Sequence, residues 1–253
     1  MSGLTAVMYR EGKIRATNAL FIFWDVIYPL GYLLVFGVGM NEALGGVGRS
    51  RLPTDYHSFF LAGVLGMASF GIASNTAWSF FMDRDNGIFF EMLTYPISRA
   101  EYLVGKVLFN IAIGLTQATV TVFLASAVLD VRLRPGGLPL LAASVVIGIA
   151  GWFFFYAIFA LAIRRNDAFN TVTSILYFVF LFASSMFYPV DPLPTAFRAA
   201  ALANPVTWHV DVMRYATIGL GDPRTIAIEA AGYVVFTLVS FAGALYTLRR
   251  EGS

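Results

Sequence analysis

The chain has 253 residues, of which 58% are hydrophobic and only 13% are charged, and its formal net charge is +2. A soluble domain carries about 25% charged residues, so this chain lacks about half of the charge that a water-exposed surface needs. With a mean hydropathy of +0.72, the composition excludes soluble globular, disordered and fibrous classes. The net charge is too small to indicate nucleic acid binding, and the lack of cysteine excludes thiolate metal sites and disulfides.

Six apolar segments are each long enough to cross the ~30 Å hydrocarbon layer as an α-helix. They lie at 20–40, 58–82, 103–129, 138–163, 169–188 and 226–248. Their residues do not alternate between apolar and polar, so a transmembrane barrel does not fit. The sequence therefore predicts an all-α integral membrane protein, with six transmembrane helices in a single domain that covers 1–253.

The segments outside the predicted spans differ in length and polarity. Segment 1–19 places apolar residues at helical spacing beside three basic ones, which predicts an N-terminal interfacial helix; a solvated basic flank is the alternative. The polar stretch 83–102 is long enough for a short helix and a turn at Tyr95-Pro96. The stretch 189–225 keeps apolar and aromatic residues, and a connection of this length is expected to be partly helical.

The distribution of Lys and Arg near the span ends indicates the orientation. If both termini lie in the cytoplasm, ten basic residues face inward and seven face outward, which is a weak positive-inside bias. The sequence therefore predicts a multi-pass protein of the cell membrane with both termini cytoplasmic. In this orientation 83–102 is a cytoplasmic loop and 189–225 is an extracytoplasmic one.

Residue patterns for covalent chemistry are absent from the sequence. The two histidines, His57 and His209, are far apart and form no metal-binding pair. The Gly105-Lys106 pair lacks the upstream Gly and the following Ser or Thr of a phosphate-binding loop. We therefore expect no catalytic residue, no metal site and no cofactor in this chain.

Three charged residues fall inside predicted spans: Asp25, Lys106 and Glu229. Each lies near a span end, from which its charged group is expected to reach the lipid head groups. Proton or sodium coupling generally needs ionisable groups deep in the helix bundle. An ion-coupled carrier or channel is therefore the weaker alternative, and an intramembrane enzyme acting on lipid head groups has no acid, base or metal set to support it.

Polar and aromatic residues also recur within the predicted spans. The polar set at helical spacing is Tyr28, Tyr32, Asn75, Ser79, Asn170, Ser174 and Tyr177. Such residues either bond between helices as packing contacts or line a conduit, and the pattern alone leaves both open. The aromatic run from Trp152 to Tyr156 points in all directions around a helix, so we expect it to contact lipid.

Two loops carry the motifs of a known family. The first has a Gly, a Glu, a Pro-x-Ser-Arg turn and a Gly-Lys pair, filled by Gly87, Glu91, Pro96, Ser98, Arg99, Gly105 and Lys106. The second has a Pro near the end of the fifth span, a Leu-Pro pair, then Asn204-Pro205 and Arg214. Together they resemble the permeases of type-2 ATP-binding-cassette exporters over nearly the whole chain. One departure is Ile88, where the family often has Thr.

This resemblance implies a half-transporter. Two permeases pair, either two copies of this chain or this chain with a different permease, and each docks a separate ATP-binding-cassette ATPase subunit. ATP and Mg²⁺ would be bound by those two ATPase copies and not by this chain. The resemblance also implies a conduit between the permeases, formed mainly by spans one, two and five, which favours the substrate-path interpretation of the polar residues.

The docking element implied by the resemblance is the helix in 83–102. Asp85 or Asn86 is predicted to cap this helix and Pro96 to end it. Three apolar residues, Phe89, Phe90 and Leu93, are predicted to share one side. The residues predicted to contact the ATPase subunit are Arg84, Asn86, Phe89, Phe90, Glu91, Leu93 and Arg99. The alternative is that this side lies on the membrane, with the charged residues as head-group anchors.

The sequence thus predicts the permease subunit of an exporter that moves an amphipathic substrate outward. The substrate classes that the resemblance implies are a hydrophobic drug, a lipid, or a lipid-linked oligosaccharide or polysaccharide. The sequence does not separate these classes, nor a homodimer from a heterodimer of permeases.

Overall fold

The computed structural model describes residues 3–17, 20, 23–44 and 54–250. All regular secondary structure within those ranges is helical. The helices, numbered in chain order, are α1 (Gly3–Ala16), α2 (23–44), α3 (Tyr56–Asp85), α4 (Ile88–Met92), α5 (Arg99–Val128), α6 (Leu138–Ala162), α7 (Asn166–Phe182), α8 (Thr195–Leu202), α9 (Pro205–Ile218) and α10 (Pro223–Arg250). A 3₁₀ turn at Pro135–Gly137 precedes α6.

Four helices in the described part of the chain are long and apolar enough to cross a membrane: α3, α5, α6 with its preceding turn, and α10. They match the second, third, fourth and sixth predicted spans. Helix α7 has 17 residues, about 26 Å at 1.5 Å per residue, and ends at Phe182 and not at 188. Helix α2 covers most of the first predicted span, of which 21–22 lie outside the described residues. Crossing by α2 and α7 therefore stays a prediction.

Helix α2 alternates between two helical forms. It is π-helical at Phe23–Ile27 and Leu33–Val38, and α-helical at Tyr28–Tyr32 and Gly39–Leu44. The proline of this helix, Pro29, has no N–H to donate to the carbonyl four residues earlier, and its ring crowds that carbonyl. The π-helical turn before Pro29 widens the backbone at this point and so accommodates the ring.

Hydrogen bonds between helix ends show which ends lie together. Arg84, at the end of α3, donates to the carbonyl of Leu161 at 2.6 Å, so α6 ends at the same side of the bundle. Arg99, at the start of α5, donates to the carbonyl of Leu248 at 3.2 Å, which places the end of α10 there too. We call this side the α4 end. The other side, where Arg214 of α9 donates to the carbonyl of Phe59, is the α9 end.

The core is built on α3 and α6. Phe70 of α3 packs against Trp152, Tyr156 and Tyr177, with ring centroids 4.4–5.7 Å apart. Trp152 and Tyr156 are fully buried, and so is Phe153. The expectation that this aromatic run contacts lipid is therefore wrong. Helix α6 packs against α3, α5, α9 and α10, so most directions around it meet protein.

Close helix approach depends on small residues at a few positions. Gly148 of α6 lies against the ring of His209 of α9, and a Cβ atom at this position would overlap that ring. Gly63 of α3 lies in the same way against the carbonyl of Met186. These contacts explain why glycine occurs inside spans, where it otherwise weakens a helix.

Replacing Gly148 with alanine tests this packing. We expect Gly148→Ala to lower the free energy of unfolding by about 1–3 kcal/mol, because the added methyl group overpacks the α6–α9 contact. Gly71→Ala in α3 is the matched control, since nothing lies within 4 Å of its Cβ position, and it should be neutral or stabilising by up to ~1 kcal/mol. Thermal unfolding in detergent measures both, and equal effects would contradict the packing argument.

Candidate functional site

A cavity of about 590 Å³ lies between α2, α3 and α7. Four of the residues predicted to line a substrate path meet in its wall: Tyr28, Asn75, Ser174 and Tyr177. They come from the first, second and fifth predicted spans, which are far apart in sequence. Tertiary packing therefore brings a hydroxyl group, an amide and two phenol rings to one place.

The other three residues predicted for this path do not line the cavity. Tyr32 packs against Tyr28 and stacks on Phe36, with ring centroids 4.9 and 5.1 Å apart. Ser79 accepts a hydrogen bond from Lys106 Nζ at 3.1 Å. Asn170 donates to Asn166 at 2.9 Å and is exposed. For Ser79 the packing interpretation is the one that the geometry favours.

Two aromatic residues that the sequence analysis missed also line the cavity, Trp78 and Phe178. Trp78 is 39% exposed and lies three residues after Asn75, and Phe178 is 62% exposed and lies four residues after Ser174. Helical spacing of three and four was therefore a usable signal. The predicted path did not include these two residues, because its members were chosen from the polar residues of each span and the tyrosines.

The charged residue in the cavity wall is Asp25, which is 4% exposed. Its carboxylate pairs with Arg15, from the end of α1, and Arg15 also donates to Asn110 at 2.6 Å. The expectation that Asp25 extends to the lipid head groups is therefore wrong. Because the carboxylate is neutralised by Arg15, the cavity wall offers aromatic, hydroxyl and amide groups without a net charge.

A second cluster of polar residues lies where α1 meets α3 and α5. Lys106 is fully buried, and its Nζ atom donates to Asp83 at 2.6 Å and to Glu11 at 2.8 Å. Arg10 donates to both carboxylate oxygens of Asp83, at 2.6 and 3.1 Å. Lys106 therefore does not reach the head groups either. Two cations and two anions neutralise each other, which is the condition under which buried charges are tolerated.

This cluster holds α1 against the bundle. Burial alone would lower the pKa of Arg10, but the hydrogen bond and charge of Asp83 raise that pKa above its ordinary value, so the guanidinium stays charged. The pairs Arg10–Asp83 and Glu11–Lys106 tie the middle of α1 to α3 and α5, and Arg15–Asp25 ties its end to α2. Helix α1 is thus joined to three of the long helices by charge pairs.

The same cluster extends to α4. Tyr102 donates its hydroxyl to Asp83 at 2.5 Å. Its ring packs edge-on against Phe89 of α4, which also contacts Phe80 of α3, at centroid distances of 5.2 and 5.5 Å. A displacement of α4 would therefore act directly on the charge cluster and, through it, on α1.

The structure divides the residues predicted to contact the ATPase subunit. Asn86, Phe90 and Glu91 are exposed, and Leu93 and Arg99 are half-buried. Arg84 and Phe89 are buried inside the chain, at 8% and 2% exposure, so they do not offer a direct contact. The prediction that Phe89 and Phe90 share one side is wrong, because neighbouring residues point about 100° apart around a helix.

The start of α4 also differs from the prediction. Gly87, and not Asp85 or Asn86, occupies the capping position, and its φ of 78° is in the left-handed region. Glycine adopts this backbone more readily than residues with a Cβ atom, which explains the Gly of the family motif. The Ser98 and Glu101 side chains form a reciprocal capping box at the start of α5, at 3.1 and 2.8 Å. The Pro-x-Ser-Arg motif is therefore a turn followed by a helix start.

Asn204 of the second motif joins two helices at the α9 end. Its amide donates to the carbonyls of Phe180 and Ala183, at 2.8 and 2.6 Å, and so satisfies the end of α7. Its side-chain oxygen accepts from the backbone N–H of Val206 at 2.9 Å and caps α9. Asn204 thus satisfies carbonyls that the end of α7 leaves without a helical partner.

Arg214 of the same motif is buried at 4% exposure. It pairs with Asp211, donates to the carbonyl of Ser185 at 2.8 Å, and lies 3.9 Å from the ring centroid of Phe59. Burial lowers the pKa of Arg214 and raises the pKa of Asp211, and their mutual attraction opposes both shifts. Beside this pair is a cavity of about 910 Å³, whose wall includes the half-buried Glu229.

His209 is a buried packing residue of α9. Its Nε2 atom lies 3.0 Å from the carbonyl of Ser144, and its ring stacks on Tyr233 with centroids 4.9 Å apart. No group of three or more metal-binding side chains occurs among the described residues. Complete burial lowers the pKa of His209 to about 4, although the hydrogen bond to Ser144 opposes the shift.

The pKa of His209 predicts an acid-dependent loss of stability. Below its ordinary pKa of 6.5 the unfolded chain takes up a proton that the folded chain does not. The free energy of unfolding should therefore fall as the pH drops from about 6.5 to about 4, by about 3 kcal/mol in total. Thermal unfolding of wild type and His209→Gln over this range measures the difference. His57→Gln is the control. If the free energy of unfolding of His209→Gln fell with pH as steeply as that of wild type, the acid dependence would not come from His209.

The arrangement described above defines a helical membrane protein with a neutral, aromatic cavity between its helices and an exposed short helix at one end. Residues 3–218 match the family described as ABC-2 type transporter. Because this match covers most of the chain, the protein belongs to that family, as its loop motifs indicated. It is a transmembrane ABC transporter permease.

Two of three similar relatives have names that refer to transport. The chain is 25% identical over 214 residues to a daunorubicin resistance ABC transporter permease protein, DrrB1, of Streptomyces coeruleorubidus, covering 83% of this chain and 74% of that one. It is 29% identical over 232 residues to nodulation protein J of Rhizobium leguminosarum bv. trifolii, covering 88% and 83%. It is 24% identical to a ycf38 transport permease of Cyanophora paradoxa and spans 65% of that relative's length.

Proposed function

We propose that this chain is the membrane subunit of an ATP-binding-cassette exporter that moves an amphipathic substrate outward past the cavity between α2, α3 and α7. The observation that carries the proposal is the composition of this cavity wall. It combines the rings of Trp78, Tyr177 and Phe178 with polar groups, and its carboxylate is neutralised by Arg15. Aromatic faces with a few placed polar groups suit a ligand that is largely apolar and carries no strong charge.

The energy source in this proposal is a separate ATPase subunit that binds ATP and Mg²⁺ and docks on α4. Phe90 and Glu91 are exposed on this helix, while Phe89 links it to Tyr102 and the charge cluster. This arrangement supports coupling, because a push on the exposed side of α4 reaches α1, α3 and α5 through direct contacts. In this proposal the α4 end and both termini face the cytoplasm.

The functional unit in this proposal contains a second permease, either another copy of this chain or a related one. The cavity wall includes side chains of α7 that are exposed in the single chain, such as Ser174 and Phe178. Helices α2 and α7 both present exposed apolar side chains, among them Val35 and Ile175. In this proposal α2 and α7 also cross the membrane, which gives this chain six spans. A second permease placed against these two helices would enclose the conduit.

Reconstitution tests the proposed function. The chain is co-expressed with a candidate ATP-binding-cassette ATPase subunit, purified, and reconstituted into vesicles with a fluorescent amphipathic dye as the substrate. We expect a stable complex and uphill dye transport that requires ATP and persists when ionophores collapse proton and sodium gradients. Uphill transport by the chain alone, driven by an ion gradient, would overturn the proposal and favour an ion-coupled carrier.

A further inference from the structure

Helices α3, α6 and α10 end around a cavity of about 630 Å³ at the α4 end. Its wall contains Arg84, Arg164 and Arg250 but a single acidic residue, Asp85, which leaves a net charge of +2. The ring of Phe90, 52% exposed, forms part of the remaining wall. The cavity wall thus combines basic and apolar side chains.

The arginines contribute in different ways. Arg84 is held in place, because its guanidinium donates to the carbonyls of Leu161 and Ile163 at the end of α6. It supplies a fixed positive charge at the base of the cavity. Arg164 and Arg250 are exposed at the rim. Arg164 makes no hydrogen bond or ion pair with any residue that the structure describes.

An exposed apolar stripe of α10 leads to this cavity. Val235, Val239, Ala242, Tyr246 and Arg250 follow one another at spacings of three and four, so they lie on one side of the helix. Val235, Val239 and Tyr246 are 58%, 66% and 57% exposed. The guanidinium of Arg250 lies 4.5 Å from the ring centroid of Tyr246. The stripe runs for about 17 Å at 1.5 Å per residue before it reaches Arg250.

We propose that this cavity binds the phosphate of an anionic phospholipid, with Arg164 and Arg250 on the phosphate oxygens and an acyl chain along the α10 stripe. Guanidinium groups match phosphate oxygens in charge and geometry, and basic pockets between membrane helices bind anionic head groups. The stripe favours a lipid over a soluble phosphate, because only a lipid has an acyl chain that can pack against it. This site goes beyond the proposed export function and does not depend on it.

The test measures lipid binding to the purified full chain without any ATPase. The protein in an uncharged detergent is titrated with phosphatidylglycerol or with phosphatidylcholine of the same acyl chains, and bound lipids are counted by native mass spectrometry. We expect preferential binding of phosphatidylglycerol, weakened roughly tenfold in the double variant Arg164→Gln/Arg250→Gln. The matched control is Arg165→Gln/Arg249→Gln, which removes the same charge from the neighbouring positions that do not line the cavity. It should bind like wild type.

Four outcomes would overturn the proposal. An equal loss of phosphatidylglycerol binding in both double variants would mean that general surface charge attracts the lipid. Equal binding of the two lipids would remove the role of the phosphate cavity. Competition by inorganic phosphate alone, at a concentration equal to that of the lipid, would assign the site to a soluble anion. Displacement of the lipid by an equimolar hexaglutamate peptide would assign it to an acidic protein segment.

Discussion

We expect Lys106→Met to lower the free energy of unfolding by about 3–5 kcal/mol, the largest effect of any single substitution proposed for this protein. The ammonium group is fully buried and pairs with Asp83 and Glu11. Without it, two buried carboxylates face one remaining cation, Arg10. Chemical unfolding in detergent measures the loss of stability. Faster hydrogen exchange in 3–16 would show that α1 loosens first.

A double variant separates charge balance from simple loss of contacts. Lys106→Met/Glu11→Gln removes one cation and one anion and leaves the Arg10–Asp83 pair, so it should be more stable than Lys106→Met alone. Lys13→Ala, an exposed substitution on the same helix, is the control and should change stability by less than about 0.5 kcal/mol. If Lys106→Met costs less than about 1 kcal/mol, the cluster does not hold α1 in place.

The second large effect is expected for Phe90→Ala in α4. Phe90 lies in the middle of this five-residue helix, and its side chain is 52% exposed. An aromatic side chain buried at the centre of an interface contributes about 2–4 kcal/mol to binding, so the variant should lower ATP-driven transport at least tenfold and weaken co-purification of the ATPase. The isolated chain should keep its stability, because the ring has little protein contact to lose.

Phe197→Ala is the matched control for this experiment. Phe197 is 69% exposed but lies on α8, at the opposite end of the protein from α4. The Phe197→Ala variant should show the same ATP-driven transport as wild type. Glu91→Ala should follow Phe90→Ala with a smaller loss, since Glu91 is exposed on the same helix. Full ATP-driven transport by Phe90→Ala, with the ATPase still bound, would remove α4 from the coupling role.

Helix content and the main candidate spans could be predicted from composition and periodicity. The ends of helices could not, and α7 is the clearest case. Its apolar pattern continues to 188, but the helix ends at Phe182, where Asn204, 22 residues further along the chain, binds the carbonyls of Phe180 and Ala183. An apolar run indicates where a helix is stable in lipid, whereas its end depends on a partner from elsewhere in the chain.

The candidate sites show the same division. Polarity and spacing singled out Tyr28, Asn75, Ser174 and Tyr177, and the family resemblance favoured a substrate path. These four residues line one cavity. Ser79 has the same polarity and spacing but lies against Lys106 instead. One turn of α3 separates Ser79 from Asn75, and only the position of α5 decides which of them meets a charged group.

By itself, the sequence determined that this is a helical membrane protein of the ABC-2 permease type, because hydropathy and loop motifs are properties of short segments. Tertiary structure decided which group each buried charge pairs with and which ring of α4 is buried. Asp25 and Lys106 looked like residues that extend to the membrane surface, yet they pair with Arg15, Glu11 and Asp83. A buried charge is stabilised by the group opposite it, and only the packing of distant helices brings that group into place.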